Sequence, residues 1–225
     1  MGANVPAMGA GGPAPHAAGR LGVAAVGVAG GSRPDCVFCD PGEQPLALIE
    51  LGLVRVVPDK FPLLPGHLLV ITRRHHRCLA EATRAELRAV DQAAATGEAF
   101  LRDAYGGEVL RWENGIAGQS VFHAHLHLLP VPFARLPPRG LADDWLGVSG
   151  WNDITRFYAE QQRYHYAALG GDRRLLPGDG ATAWALRAEL ARVARLEFRD
   201  GHWWRRTSPH DVVDAGVRFS RWRKR

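Results

Sequence analysis

Residues 118–130 read Gly-Gln-Ser-Val-Phe-His-Ala-His-Leu-His-Leu-Leu-Pro, with histidines at 123, 125 and 127. In an extended strand, alternate side chains share a face. His123, His125 and His127 are therefore expected on one face, with Ala124, Leu126 and Leu128 on the other. Three imidazoles in a row are poor core material, because each buries polar nitrogens that need partners. Two chemistries fit the row. One is a metal-binding triad; the other is a nucleophilic histidine flanked by two helpers.

Upstream, Cys36-Val-Phe-Cys39 has a spacing that lets two thiolates reach one tetrahedral metal. By itself the pair is half of a zinc site, a redox pair, or two plain thiols. The other half of a zinc site would be two histidines. His75 or His76, just after the apolar run 67–72, and His123 are the candidates, while Cys78 is not expected to be a ligand. A site of two Cys and two His would be closed and structural, with no position left for water.

The elements that must position these groups are legible around them. Pro45–Glu50 and Leu53–Val57 suggest a hairpin, and His67–Thr72 another strand entered through the rigid Pro62-Leu-Leu-Pro65-Gly66 turn. Thr83 and Glu86 form a capping box. Leu87, Val90, Ala94, Gly97, Leu101 and Ala104 then repeat at helical spacing up to Gly106-Gly107. Val109–Trp112 and Val121–Leu129 read as strands again. Strands, one long helix and strands predict an α+β fold, a helix packed on a largely antiparallel sheet. Further on, Asn152–Tyr166, Ala181–Leu196 and Pro209–Phe219 read as helices, a mostly helical extension that ends in a basic tail.

The chain has 225 residues, 46% of them apolar and 23% charged, enough for a core and against full disorder. Leu21–Gly30, the longest nearly apolar run, is half of the roughly 20 residues a spanning helix needs. The stretch Arg20–Ala29 loosely imitates a signal peptide, but three cysteines suit a reducing compartment, so a cytoplasmic protein with no membrane partner is expected. Residues 1–33, rich in Gly and Ala, are expected to be disordered. Residues 34–133 form the site-bearing domain, and residues 1–133 together carry a net charge of −1, from 11 basic and 12 acidic residues. Residues 134–225 carry 17 and 11, a net of +6, and six of the seven tryptophans.

The sequence resembles the histidine triad (HIT) superfamily of nucleotide hydrolases and transferases. The signature His-φ-His-φ-His-φ-φ, with φ apolar, fits residues 123–129 at every position, and Gly118-Gln119-Ser120 precedes it. The likeness runs from Cys36 to Pro132. It implies the α+β fold of that family and, for many members, a homodimer. It implies a structural zinc (Zn2+) held by Cys36, Cys39, His75 and His123. His125 then resembles the nucleophile that attacks an α-phosphorus, with a backbone carbonyl holding its other nitrogen. His127, Ser120 and Gln119 take the places that contact phosphate oxygens and the leaving group. Asp59 matches the residue that binds ribose hydroxyls, its plain alternative being a solvated turn. Val37, Phe38 and Val57 resemble the clamp around the base. Asn114 resembles a phosphate- or ribose-binding Asn, on a loop two residues shorter than the commoner one. His67 is read as structural, and His165, His202 and His210 as surface residues.

The resemblance implies cleavage or transfer of a nucleoside monophosphate from a dinucleoside polyphosphate, phosphoramidate or adenylylated small molecule. The alternatives are a catalytically weak nucleotide-binding sensor or adaptor, an enzyme that deadenylates nucleic-acid ends, and a metallohydrolase using the three histidines as an open metal site. The extension reads as a substrate-recognition or dimer arm built from Tyr158, Tyr164, Tyr166, an Arg-rich helix and Trp203-Trp204-Arg205-Arg206. It equally reads as core tryptophans with a solvated basic face, and basic residues among aromatics also fit a nucleic-acid partner.

Overall fold

A computed structural model describes residues 31–40, 42, 46–134, 145–178 and 208–225. The expected helix at 181–196, the Trp203–Arg206 cluster, His202 and residues 1–30 lie outside the described residues.

Among the described residues eight strands form one sheet: β1 (Ile49–Glu50), β2 (Val54–Pro58), β3 (Leu68–Thr72), β4 (Glu108–Glu113), β5 (His125–Val131), β6 (Leu146–Gly147), β7 (Tyr164–Leu169) and β8 (Asp172–Pro177). Their order is β1-β2-β3-β5-β4-β7-β8-β6, and every named pair is antiparallel. Among the described residues three α-helices accompany them: α1 (Arg84–Tyr105), α2 (Trp151–Gln161) and α3 (Pro209–Trp222).

The sheet obeys a period of two from edge to edge. Val54, Val56, Leu68, Val70, Val109, Leu126, Leu128, Tyr164, Tyr166, Ala168 and Leu175 share one core with residues of all three helices. Alternate residues of the same strands look the other way. They form two smaller apolar groups, one around Leu110, Trp112 and Leu129, the other around Val57, Leu69 and Ile71. Helices thus cover one face, and the opposite face carries His125 and His127. The capping box forms as expected: Thr83 Oγ1 accepts from Glu86 N, and the Glu86 carboxylate accepts from Thr83 N at 2.8 Å. α1 then lays Leu87, Val90, Ala94, Phe100 and Leu101 against the sheet.

Two expectations are corrected in detail. The strand read as 121–129 begins only at His125, so His123 lies in the segment just before it. The helix read as Asn152–Tyr166 ends at Gln161, and Tyr164–Tyr166 belong to β7. The extension does carry helices α2 and α3, but it also adds β6, β7 and β8 to the sheet. β7 pairs directly with β4, Trp112 opposite Ala167 and Glu113 opposite Tyr166. Tyr158, Tyr164 and Tyr166 are buried in the main core, and Trp145 in the group around Trp112. Trp151 and Trp222 pack partly buried against the main core.

Candidate functional site

β3 and β5 set the site, with register Ile71 opposite His125 and Leu69 opposite His127. Within this frame the three histidines do not converge on one point. His123, ahead of the strand, turns to the cysteines; His125 and His127, both buried, stay on the face opposite the helices.

Around His123 the four expected metal donors meet. Its Nδ1 is 3.4 Å from Cys36 Sγ and 3.5 Å from Cys39 Sγ, and His75 Nδ1 is 3.4 Å from Cys39 Sγ. A tetrahedral zinc with ordinary Zn–S and Zn–N bonds would separate sulfur from nitrogen by about 3.5 Å. All four donor atoms lie within 4.8 Å of one another, so the donor set and its spacing fit zinc. His123 Nε2 donates to Thr72 O at 2.7 Å, which leaves Nδ1 its lone pair, the usual outer-shell arrangement of a ligating imidazole. Burial pulls the His123 pKa down to about 4, keeping the ring neutral. Of the neighbours His75 and His76, it is His75 that stands with the cysteines. His76 Nε2 faces the Glu86 carboxylate at 3.0 Å, away from the cysteines. Cys78 is buried in the main core, and burial pushes its thiol up; among the described residues it joins no donor group.

His125 is oriented by the backbone. Its Nδ1 lies 2.6 Å from His123 O. A carbonyl only accepts, so Nδ1 carries the proton and Nε2 holds a lone pair. Burial lowers the pKa of His125, which favours the neutral ring.

His127 has the opposite assignment. Its Nδ1 is 3.0 Å from His67 Nε2. Leu63 N donates to His67 Nδ1 at 3.2 Å, although Asp59 Oδ2 is also 3.3 Å from that nitrogen. The two contacts ask for opposite protonation. A proton on Nδ1 would face the Leu63 N–H, so we assign Nδ1 as the acceptor. His67 Nε2–H then donates to His127, whose own proton sits on Nε2. Trp112 stacks on His127 with ring centroids 3.9 Å apart and planes within 8°. Two rings two residues apart thus both present Nε2, bare on His125 and protonated on His127.

The remaining expected residues are distributed as follows. Phe38 meets His125 edge-on at 5.1 Å, with its backbone O accepting from Arg55 at 2.6 Å. Val57 is buried with Leu69 and Ile71 on the site face, and Val37 is exposed. Val37 and Ser120 line one cleft of about 420 Å³ together with Cys36 and His75. Asp59 is buried, its Oδ1 accepting from Phe61 N at 2.9 Å, so it is not a solvated turn residue. Asn114 follows β4, half-buried. Gln119 is buried and donates through Nε2 to Arg77 O at 2.6 Å. Sequence reasoning missed Trp112, Arg55 and the contact of His67 with His127. His67 shares strand parity with Leu69 and Ile71, a period-two signal that places it on the site face. His165, read as a surface residue, is only 1% exposed. Its parity with Ala167 and Leu169 puts it on the site face as well, whereas His210 is exposed.

The HIT domain profile matches residues 43–133. An uncharacterised HIT-like protein of Mycoplasma genitalium is 33% identical over 101 residues, covering 42% of this chain and 72% of that protein. The chain belongs to the HIT family. Another HIT relative, the adenylylsulfatase HINT3 of Arabidopsis thaliana, is 34% identical over 102 residues, 43% of this chain and 52% of that protein. The chain therefore spans about half the length of that relative. Among solved structures, a zinc-bound histidine triad protein from Mycobacterium smegmatis is 28% identical, covering 43% of this chain and 74% of its own, with a TM-score of 0.38. A HIT family member from Bacillus subtilis is 25% identical, covering 56% and 96%, with a TM-score of 0.42. No helix among the described residues is long and apolar enough to cross a membrane.

Proposed function

We propose that this HIT protein cleaves or transfers a nucleoside monophosphate through a nucleotidyl intermediate on His125. The observation that carries the proposal is the 2.6 Å contact between His125 Nδ1 and His123 O, which leaves Nε2 as a neutral nucleophile. Nε2 attacks the α-phosphorus, and the bond from phosphorus to the leaving group breaks. The leaving group departs with the electron pair and takes the proton from His127 Nε2. Water or another acceptor then attacks the same phosphorus, giving its proton to His127. The P–N bond breaks and its electron pair returns to His125.

Around this chemistry, Phe38, Val37 and Val57 clamp the base and Asp59 binds the ribose hydroxyls. Ser120, Gln119 and Asn114 meet the phosphate oxygens or the leaving group, where donors stabilise charge that grows in the transition state. Cys36, Cys39, His75 and His123 hold a structural zinc, which fastens the segment before β5 to the segment before β1. Adenylyl sulfate, the class named by the Arabidopsis relative, joins dinucleoside polyphosphates and phosphoramidates as candidate substrates. A reducing compartment suits the thiolate ligands, so a cytoplasmic setting is part of the proposal. A homodimer is part of it too, through a surface other than the β4 edge, which β7 already pairs. Released monophosphate, screened over these three substrate classes with wild type and His125→Ala, tests the reading. Tight AMP binding without release from any of them would overturn it in favour of a binding module.

A further inference from the structure

Glu113, the last residue of β4, points to the helix-covered face, opposite to Trp112, and is 0% exposed. Its Oε1 accepts from Leu79 N at 2.7 Å and its Oε2 from Tyr164 OH at 2.6 Å. The Tyr164 hydroxyl in turn accepts from Ala80 N at 3.2 Å. Tyr164 belongs to β7, in the extension. Its backbone N donates to Gly115 O at 3.0 Å, and it pairs in parallel with Ile116. Its ring lies against Gly115, where φ is +42° and a Cβ would stand 2.5 Å from the ring. At the far end of the same loop, Gln119 donates to Arg77 O at 2.6 Å. The loop from Asn114 to Gln119 is thus fastened at both ends to one frame, made of residues 77–80 and the first residue of β7.

We propose that Tyr164 and Glu113 are positioning residues for the loop that carries Asn114, Gln119 and Ser120, so that the C-terminal extension completes the active site from within the same chain. The inference rests on the nucleotidyl-transfer reading for its catalytic consequence, but the clamp itself does not. A buried carboxylate is a poor choice if packing alone matters, since an apolar residue of similar volume is often as stable or more so. Burial pushes the Glu113 carboxyl up to about 7. What the carboxylate adds is direction: it fixes one backbone N–H and one hydroxyl, which together hold the 77–80 segment and β7 in one relation to the loop. Gly115 is needed on two counts, its positive φ and the tyrosine ring at its Cα.

The test uses the full-length, zinc-loaded protein. Tyr164→Phe keeps the ring on Gly115 and removes the hydroxyl. It is expected to lower kcat by about 10²-fold, the scale of a 1 Å misplacement, with KM and AMP affinity within about threefold of wild type. Amide hydrogen exchange at residues 115–120 is expected to quicken in the ligand-free variant. Glu113→Ala is expected to behave likewise, and Glu113→Gln, which keeps an oxygen for Leu79 N–H, to retain more of both. A Tyr164→Phe protein that melts earlier but keeps wild-type kcat and wild-type exchange at 115–120 would overturn the proposal. If wild type releases no monophosphate, the functional reading has failed, and exchange alone decides the clamp. If Tyr164→Phe does not fold, the comparison of Glu113→Gln with Glu113→Ala decides it by the same two readouts.

Discussion

His123 O accepts a hydrogen bond from His125 Nδ1 at 2.6 Å, while the ring of His123 is turned to Cys36 and Cys39. One residue therefore faces the two cysteines with its side chain and the proposed nucleophile with its backbone. In the proposed reaction the four-donor site takes no part in bond making, and its place is to set where that carbonyl stands.

Metal removal should therefore cost stability and activity together. A metal at a thousandfold excess over its dissociation constant contributes about 4 kcal/mol to the folded state. At about 2–4 °C per kcal/mol for a chain of this size, the melting midpoint should fall by roughly 10 °C after chelation or in Cys36→Ser. Metal analysis should find one zinc per chain, retained in His127→Ala. Loss of zinc in His127→Ala would instead support an open three-histidine site.

The proton on His127 Nε2 should matter in proportion to how badly the leaving group needs it. His127→Ala should slow a substrate with a poor leaving group by about 10²–10⁴-fold, the range of general acid catalysis. A substrate whose leaving group departs as a stable anion should be affected far less. His67→Ala should show the same ordering with smaller losses, because His67 sets the tautomer without touching substrate. Equal losses for both substrate types would remove the acid role from His127. Steady-state kinetics on such a pair of substrates is the measurement.

Glu113 gives a pH dependence of stability. Its folded-state pKa, raised by burial to about 7, lies above the ordinary value of 4.5. The group is protonated more readily in the folded chain. Its contribution is fully present below about pH 4.5 and is lost as pH rises through about 7. The difference between the two values is worth on the order of 3 kcal/mol. Denaturant unfolding of wild type and Glu113→Gln between pH 4 and 8 should show wild type losing stability relative to the variant as pH rises. A constant difference across that range would contradict the assignment.

Much of the site was legible because its chemistry is local. The Cys-x-x-Cys pair, the histidine row and the Thr83/Glu86 capping box are each fixed by spacings of a few residues. Which histidine stands with the cysteines was not, because His75 and His76 are neighbours and their contacts with Cys39 and Glu86 are what separate them. His67 and Trp112 were missed as site residues because their partner, His127, lies on another strand. In the extension, the helix was read too long because no Gly or Pro marks its end. Gln162 takes the left-handed conformation there without one, with φ of 61°. The β7–β8 hairpin did leave a signal that went unread: Gly170-Gly171, both at positive φ, makes a two-residue turn with Leu169 opposite Asp172. The burial of Tyr158, Tyr164 and Tyr166 was not legible, since an aromatic cluster fits a binding arm and a core equally well.

The central claim is the covalent step on His125. Wild-type protein mixed with substrate, quenched in denaturant within a turnover and mapped by peptide mass spectrometry tests it directly, with His125→Ala as control. A nucleoside monophosphate adduct on His125, absent from His125→Ala and accompanied by a loss of turnover on the order of 10⁴-fold or more in that variant, is the predicted result. No adduct in wild type, together with full activity in His125→Ala, would contradict the account.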